Sequence, residues 1–467
     1  MANTVKMEDG SVYEFVGDPK KSVSQGGALL GKGGQGAVYK VKNVKTGQVV
    51  ALKTYLMHMS DEFIANLRSN IVKGAPHPSF LWPLGLTEPL GPNGDRRGYI
   101  MEMYGKEYSS YVKIMKRKAN FPSKEMQISA LIDLVDAFEA LHAKGLSYQD
   151  LNDGGIVFDC QHGKVLICDN DNVAPDKINI KIDDEGHCIQ GKFKFMAPEV
   201  AINMILPDRY SDRFSMAVLM FMLLTMAHPL DGAKRLQEAT MTPSVQRRLY
   251  GTEPVFIFDP NNTSNRPDPQ KDANATLGWS RLPDFIQNLF IRALTSGLPA
   301  VGKTKDQLET ERQSRPSERE WRVALHKWMD TLASCPGCKL WMNVNLSGFD
   351  IQPTTCPYCG KKFTLNLPVL VVKKRDRVVR TIVLDDGKEI PKCSVIGEAS
   401  NDTAIMVKKS AKAANVYGLQ NMLTLQWRCT QQGSKPRLVN ANEIVAALNG
   451  VFIEFDYDFS GEIHQKK

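Results

Sequence analysis

The segment Gly31-Lys32-Gly33-Gly34-Gln35-Gly36-Ala37-Val38 constrains this chain more than any other stretch. It sits inside the strand-like run ALLGKGGQGAVYKVKN and is followed by a second one, QVVALKTYL. Glycines at that spacing let backbone N–H groups close on polyphosphate oxygens, because side chains there would hold the ligand away. A dinucleotide-binding unit is the obvious rival. It requires a helix directly after the glycines and an acidic residue about 20 positions on. Here a second strand follows instead and ends Val50-Ala51-Leu52-Lys53, which brings an amine beside the turn. The alternative reading of Lys53 is a solvated strand lysine next to a flexible loop.

The downstream pattern decides between them. A helix opens at Ser60, a good N-cap, and carries Phe63, Ile64, Leu67 and Ile71 at helical spacing. Strand-like runs follow near residues 82–86 and 99–103, and after Asn120 long helices take over, beginning with MQISALIDLVDAFEALHA. Tyr148-Gln149-Asp150 comes just after that helix. The run 165–168 is strand-like and leads into Asp169-Asn170-Asp171; Ala197-Pro198-Glu199, Asp212 and Arg315-Pro316-Ser317 follow in order.

In that order and spacing these features resemble the eukaryotic-like (Hanks-type) serine/threonine protein kinase family, over roughly residues 24–332. The resemblance implies an α+β multidomain chain whose first part is a bilobal kinase fold with ATP between the lobes. Gly31, Gly33, Gly36, Val38 and Ala51 would line the nucleotide and Lys53 would hold its phosphates. Met101 would be the gatekeeper, with Glu102, Met103 and Tyr104 as the hinge that binds adenine. Asp150 would accept the proton of the substrate hydroxyl, and Asp169 would hold Mg²⁺ (or Mn²⁺). Asp212 would anchor the catalytic loop and Arg315 would pair with Glu199. Glu62 is either the helix partner of Lys53 or a first-turn charge that complements the macrodipole.

Four departures from the family pattern stand out. Asp150-Leu151-Asn152-Asp153-Gly154-Gly155 places a glycine where the family has its second metal-binding asparagine, and Asn152 where it has a lysine. Asn152 or Asp171 would then supply a substitute oxygen to Mg²⁺, and Asn152 joins Asp150 and Lys53 as a candidate catalytic residue. Asn170 replaces the phenylalanine of D-F-G, removing an apolar gate, and Gln149 replaces the arginine that receives an activating phosphate. Residues 169–199 contain no serine, threonine or tyrosine. Activation without phosphorylation of this segment is therefore expected. The DNDNV variant, with LYGTEPVFIFDPNNTSNRP further on, is similar to a bacterial kinase subfamily encoded in tellurite-resistance-type clusters. That likeness implies a von Willebrand A-domain protein and a metal-dependent phosphatase as partners.

Cys335-Pro336-Gly337-Cys338 and Cys356-Pro357-Tyr358-Cys359 are two C-x₂-C pairs separated by 17 residues, the spacing of a structural zinc knuckle or ribbon. The rival, a redox dithiol, comes as one pair beside a βαβ pattern. Five further cysteines, Cys160, Cys168, Cys188, Cys393 and Cys429, are scattered and read as inert thiols in a reducing compartment. The last hundred residues alternate short strand-like runs with polar turns, hence a small all-β domain. Val395-Ile396-Gly397 is faintly similar to a forkhead-associated domain, but Glu398 stands where phosphate binding needs an arginine. An oligonucleotide-binding-type barrel is equally open. Lys373, Lys374, Arg375, Arg377 and Arg380 form a basic run, read first as a solvated hairpin rather than a nucleic-acid patch.

The expected domains are thus a flexible segment 1–23, an N-lobe 24–104, a C-lobe 105–332, a zinc ribbon 333–365 and an all-β domain 366–467. A chain of 467 residues with 42% hydrophobic and 24% charged content has core enough for them. It is too rich in apolar residues for a disordered or collagen-like reading. Its longest apolar helical run, residues 216–227, falls short of the roughly 20 a membrane span needs, and MANTVKMEDG lacks the apolar stretch of an export signal. A cytoplasmic protein kinase acting on protein substrates is expected. The alternatives are a nucleotide-binding pseudokinase scaffold and, more remotely, nucleotide transfer onto protein.

Overall fold

A computed structural model describes residues 4–466 apart from 182, 184, 186–190, 399, 401, 414 and 432. The chain divides into two compact units. The first is Met1–Pro122, Ala130–Gly278 and Asn288–Arg322; the second is Ser123–Ser129, Trp279–Gln287 and Val323–Lys467.

The first unit opens with an eight-stranded sheet: β1 (Thr4–Lys6), β2 (Val12–Phe15), β3 (Asp18–Ser22), β4 (Gly27–Lys32), β5 (Gly36–Asn43), β6 (Val49–Tyr55), β7 (Pro83–Leu86) and β8 (Gly98–Met101). The order is β1-β2-β5-β6-β8-β7, with β4 joining β3 to β5. Within the segment 1–23, expected to be loose, residues 4–22 instead carry three of these strands. Each buries one residue at most, which hides it from a pattern search, but Val5, Met7 and Tyr13 are buried against Val41, Val50, Leu52 and Ile100. That burial holds the segment to the sheet.

Helix α1 (Asp61–Lys73) lies between β6 and β7 in sequence. Ser60 caps it by accepting a hydrogen bond from the Phe63 amide, and Gly74, with φ of 71°, ends it. Its apolar stripe, Phe63, Ile64, Leu67 and Ile71, packs with Ala51, Tyr55, Tyr99 and Met101 of the sheet and with Ala174 and Ile180 further on. The helix is therefore held between the sheet and the segment that follows Asp169.

The remainder of this unit is mostly helical. It includes β9 (Tyr108–Ser110), α2 (Tyr111–Met115), α3 (Lys124–Ala143) from Ala130 onward, β10 (Leu146–Ser147), β11 (Ile156–Asp159), β12 (Lys164–Ile167), β13 (Ala174–Pro175), α4 (Pro198–Ala201) and α5 (Arg209–Thr225). Every residue of α5 from Phe214 to Leu223 is buried, so its continuous apolar run makes a core helix. Among the described residues no helix is long and apolar enough to cross a membrane.

The second unit carries the four-cysteine module and two antiparallel sheets. The six-stranded sheet runs Arg377–Val383, Val369–Lys374, Phe459–His464, Phe452–Glu454, Trp427–Thr430, Arg437–Val439; the four-stranded one runs Glu389–Pro391, Thr403–Lys409, Tyr417–Asn421, Ile444–Ala446. They share one apolar core that includes Val371, Ile382, Ile405, Leu419, Trp427 and Ile453. Two sheets over one core make a sandwich, and the described strands do not close into a single barrel. The Val395-Ile396-Gly397 stretch ends a helical turn, Lys392–Val395, rather than a strand. Glu398 is exposed beyond it. In the basic run, Lys373 meets Glu462 at 3.3 Å, Arg375 meets Asp458 at 3.2 Å, and Arg380 bonds Asp330 at 2.6 and 2.9 Å. Three of the five cations thus have acidic partners.

Candidate active site

The glycine turn between β4 and β5 is closed by the Gly33 amide donating to the Gly36 carbonyl at 2.8 Å. Side chains at Gly31, Gly33 and Gly34 would meet nothing within 4 Å, so the space beside the turn is open. Gly36 differs: a Cβ there would lie 2.7 Å from the Thr54 carbonyl oxygen, and the glycine lets β5 approach β6. Val38, Ala51 and Met101 belong to one apolar cluster, with Met101 paired to Ala51 across β6 and β8. Glu102, Met103 and Tyr104 follow β8 as an exposed stretch.

The two-residue repeat of β6 puts Lys53 and Tyr55 on one face, and the register of β8 sets Tyr99 directly opposite Lys53. These three side chains surround one carboxylate. Lys53 Nζ lies 2.8 and 3.0 Å from the two oxygens of Asp171, Tyr55 donates to it at 2.7 Å and Tyr99 at 3.2 Å. Lys53 Nζ also reaches Asp169 at 3.4 Å. The Asp171 side chain is 1% exposed, whereas that of Asp169 is 48% exposed. Burial opposes charge on both members of the pair, yet the ion pair wins: the lysine is pushed up and the Asp171 carboxyl down from their ordinary values. Burial raises both tyrosines well above the ordinary range, so they stay neutral donors. Glu62 sits exposed in the first turn of α1, a helix charge, and the carboxylate beside Lys53 is Asp171.

Asp169 and Gln149 flank the site with left-handed backbones, φ of 56° and 71°. Asp212, from α5, accepts hydrogen bonds from the amides of Tyr148 at 2.6 Å and Gln149 at 3.2 Å, fixing the loop that presents Asp150. His142 bridges Asp212 at 3.1 Å and Glu318 at 3.0 Å behind it. Burial raises the Asp150 carboxyl to about 6; the Asn152 amide lowers it, the Asp169 charge adds to the rise and Lys192 opposes it. Asn152 is occupied: its Nδ2 donates to Asp150 Oδ1 at 2.8 Å, and its Oδ1 accepts from the Gly154 amide at 2.9 Å. A Cβ on Gly191 would lie 3.1 Å from Asp150 Oδ1, so that glycine keeps the carboxylate approachable.

The expected Glu199–Arg315 pair forms at 2.7 and 3.0 Å, fully buried. Arg312, which the sequence pattern did not single out, adds a second cation at 3.4 Å and binds Asp208. Asn170 is buried and donates to the Leu81 and Ile167 carbonyls at 2.8 and 2.9 Å, pinning the segment as a polar clip. Cys160 is buried, and Cys168, beside Asp169, is pushed up to about 12 by burial. Cys188 lies outside the described residues.

In the second unit the two C-P-x-C turns repeat one geometry. The Cys335 and Cys356 amides donate to Leu340 and Lys361, and the Lys339 and Gly360 amides donate back, each with left-handed φ. The four sulfurs lie within 4.8 Å of one another, with Cys335–Cys359 and Cys338–Cys356 at 3.7 Å. A tetrahedral zinc with bonds of about 2.3 Å demands sulfur separations of about 3.8 Å. The donor set fits that ion.

A sequence model of the protein kinase domain matches residues 25–290, more than half of the chain. Among curated proteins the chain is similar to the human ribosomal protein S6 kinase alpha-2, 25% identical over 44% of this chain and 27% of that protein. It is similar to a putative ribosomal protein S6 kinase alpha-1 of Caenorhabditis elegans, 26% identical over 56% and 32%. It also resembles a CBL-interacting protein kinase 4 of Oryza sativa subsp. japonica, 25% identical over 60% and 62%. The chain spans roughly a quarter to a third of the first two relatives' length.

Proposed function

The chain belongs to the protein kinase family, and on that premise we propose that it transfers the γ-phosphoryl group of ATP to serine or threonine hydroxyls of a protein substrate. The observation that carries this reading is the meeting of Lys53 Nζ with Asp169 and Asp171 beside a glycine turn whose outer space is open. An amine, a half-exposed carboxylate and an open glycine turn suit a polyphosphate with a divalent cation. Mg²⁺, or Mn²⁺, held by Asp169, supplies the positive charge that bridges phosphate oxygens. Lys53 neutralises phosphate charge, and Gly31, Gly33 and Gly36 form the turn that the phosphates approach. Val38, Ala51 and Met101 cover the adenine, and the backbone of Glu102 and Met103 binds its edge. Asp150 accepts the proton of the attacking hydroxyl, held by the Asn152 amide in the orientation that reaction needs.

In this reading Asn152 is a positioning residue, since its oxygen is already bonded to Gly154. Asp169 then remains as the exposed metal-binding carboxylate, because Asp171 is spent on Lys53. No hydroxyl in residues 169–199 can be phosphorylated, and Gln149 has no charge to receive a phosphate, so the segment works unmodified. Cys335, Cys338, Cys356 and Cys359 hold one structural Zn²⁺, and the sandwich behind them docks a partner or substrate. The DNDNV segment and residues 249–267 support a place among bacterial kinases that work with a von Willebrand A-domain protein and a metal-dependent phosphatase. Reading the scattered cysteines as inert thiols goes with a reducing cytoplasm.

One observation favours a second reading, a nucleotide-binding pseudokinase: Gly155 offers no ligand atom, and Asn152 turns its oxygen away to the backbone. Purified protein incubated with γ-labelled and, separately, α-labelled ATP, with Mg²⁺ or Mn²⁺, separates the readings. Label from the γ-position on protein, abolished by Asp150→Ala and Asp169→Ala, is expected. Label from the α-position would mean nucleotide transfer. A thermal shift with ATP but no label would leave a scaffold.

A further inference from the structure

In the family pattern, the strand lysine is held by a glutamate on the helix after it. Here α1 has no carboxylate at the lysine, and a different group occupies that place. We infer that Asp171, clamped by Tyr55 and Tyr99, is the positioning residue for Lys53, so that the lysine is set by the Asp169-Asn170-Asp171 segment itself and not by α1. This rests on the kinase reading of the same site.

The geometry supports it at each end. Both Asp171 oxygens are used, by Lys53 at 2.8 and 3.0 Å, Tyr55 at 2.7 Å and Tyr99 at 3.2 Å, with the carboxylate almost fully buried. A carboxylate so enclosed has a fixed direction, and the amine it holds still reaches Asp169 at 3.4 Å, on the side where phosphate would lie. Helix α1 keeps a different task. Its Asn66 and Asn70 amides both donate at 2.8 Å to the carbonyl of Val173, two residues past Asp171, and Ser60 bonds the Lys181 carbonyl. The helix thus braces the segment that carries the clamp.

The test compares Asp171→Asn, Glu62→Ala, Tyr55→Phe/Tyr99→Phe, Lys53→Met and the double variant Lys53→Met/Asp171→Asn with the parent. Asp171→Asn should lower kcat/KM for ATP at least tenfold, leave KM for the protein substrate alone, and add nothing in the Lys53→Met background; Glu62→Ala should stay within twofold. Additive losses, or a larger loss from Glu62→Ala, would overturn the inference. A second readout needs no turnover. Brief acetic anhydride labelling, read by peptide mass spectrometry, should modify Lys53 several-fold faster in Asp171→Asn and in the tyrosine pair than in the parent, and unchanged in Glu62→Ala. Equal labelling in all of them refutes the clamp. An inactive parent with these labelling differences would sink the kinase reading and leave the clamp standing.

Discussion

The phenol of Tyr148 donates its hydrogen bond to the backbone carbonyl of Cys168, the residue before Asp169. It thereby ties the loop of the proposed base to the strand that delivers the proposed metal ligand. The same phenol explains Gly155: a Cβ there would sit 3.2 Å from the Tyr148 oxygen and 3.4 Å from the Cys168 carbonyl oxygen. Tyr148 and Gly155 are thus one structural choice, since the hydroxyl fills the room that a larger side chain would need.

It follows that restoring the family's asparagine does harm. Gly155→Asn forces the buried Tyr148 off its partner and should cost about 1–3 kcal/mol, the usual range for overpacking, seen as a lower melting temperature and lower activity. Adding Tyr148→Phe, which removes the clashing oxygen, should recover part of the loss. A Gly155→Asn protein as stable as the parent and more active would refute the pairing.

Catalysis should carry the signature of Asp150. Its carboxyl is raised to about 6, mainly by burial, and a general base must be ionised to accept a proton. The logarithm of kcat/KM should climb with unit slope below about pH 6 and level off above it. Because the Asn152 amide lowers that value, Asn152→Ala should move the midpoint to higher pH, and Lys192→Ala should move it the same way for loss of a nearby cation. A flat profile between pH 5 and 7, or a downward move in Asn152→Ala, contradicts the assignment.

A pH dependence of stability is built in behind the loop. Burial disfavours the His142 imidazolium, but its bonds to Asp212 and Glu318 prevail and raise it from 6.5 to about 9. A raised folded value means the stabilisation is complete below pH 6.5 and disappears as pH rises through 9, on the order of 3 kcal/mol. Glu318 is held well below its ordinary value by His142 and Arg213 against burial, so its contribution is present above pH 4.5 and lost in acid. Urea midpoints at pH 6 and pH 9.5 should therefore differ more in the parent than in His142→Gln. Equal differences in both proteins would remove His142 from the account.

Much of this site is legible in the sequence because its residues are tied to motifs with fixed spacing. Lys53 lies in the strand after the glycine turn, Asp150 follows a helix, Asp169 follows a strand, and Glu199 has a late arginine to meet. The clamp was less visible. Nothing in residue type marks Tyr55 and Tyr99, and only the β6–β8 register places Tyr99 across from Lys53. Asp171 looked like spare metal ligation because sequence gives residue type, not the direction of a buried carboxylate. Asn152 was misleading for the same reason: its oxygen is spent on a backbone amide two residues away. Residues 4–22 show no period in the sequence because strands of three to five residues, each with one buried position at most, carry too few apolar residues.

The cysteine module gives the last prediction. Four sulfurs within 4.8 Å, two pairs of them at 3.7 Å, are too far apart for a disulfide of about 2.05 Å and match the edges of a zinc tetrahedron. Cys335 and Cys356 are buried in the same core as Met342, Val369 and Leu370, so the ion would close one end of that core and its binding energy would become folding energy. Protein purified without chelators should contain one zinc per chain, released by a mercurial and counted with a colorimetric chelator. Cys356→Ser should abolish it and lower the melting temperature of the second unit, while Cys429→Ser, buried at the sandwich strand Trp427–Thr430, should keep the metal. Zinc retained in Cys356→Ser, or found absent from the parent, would defeat the assignment.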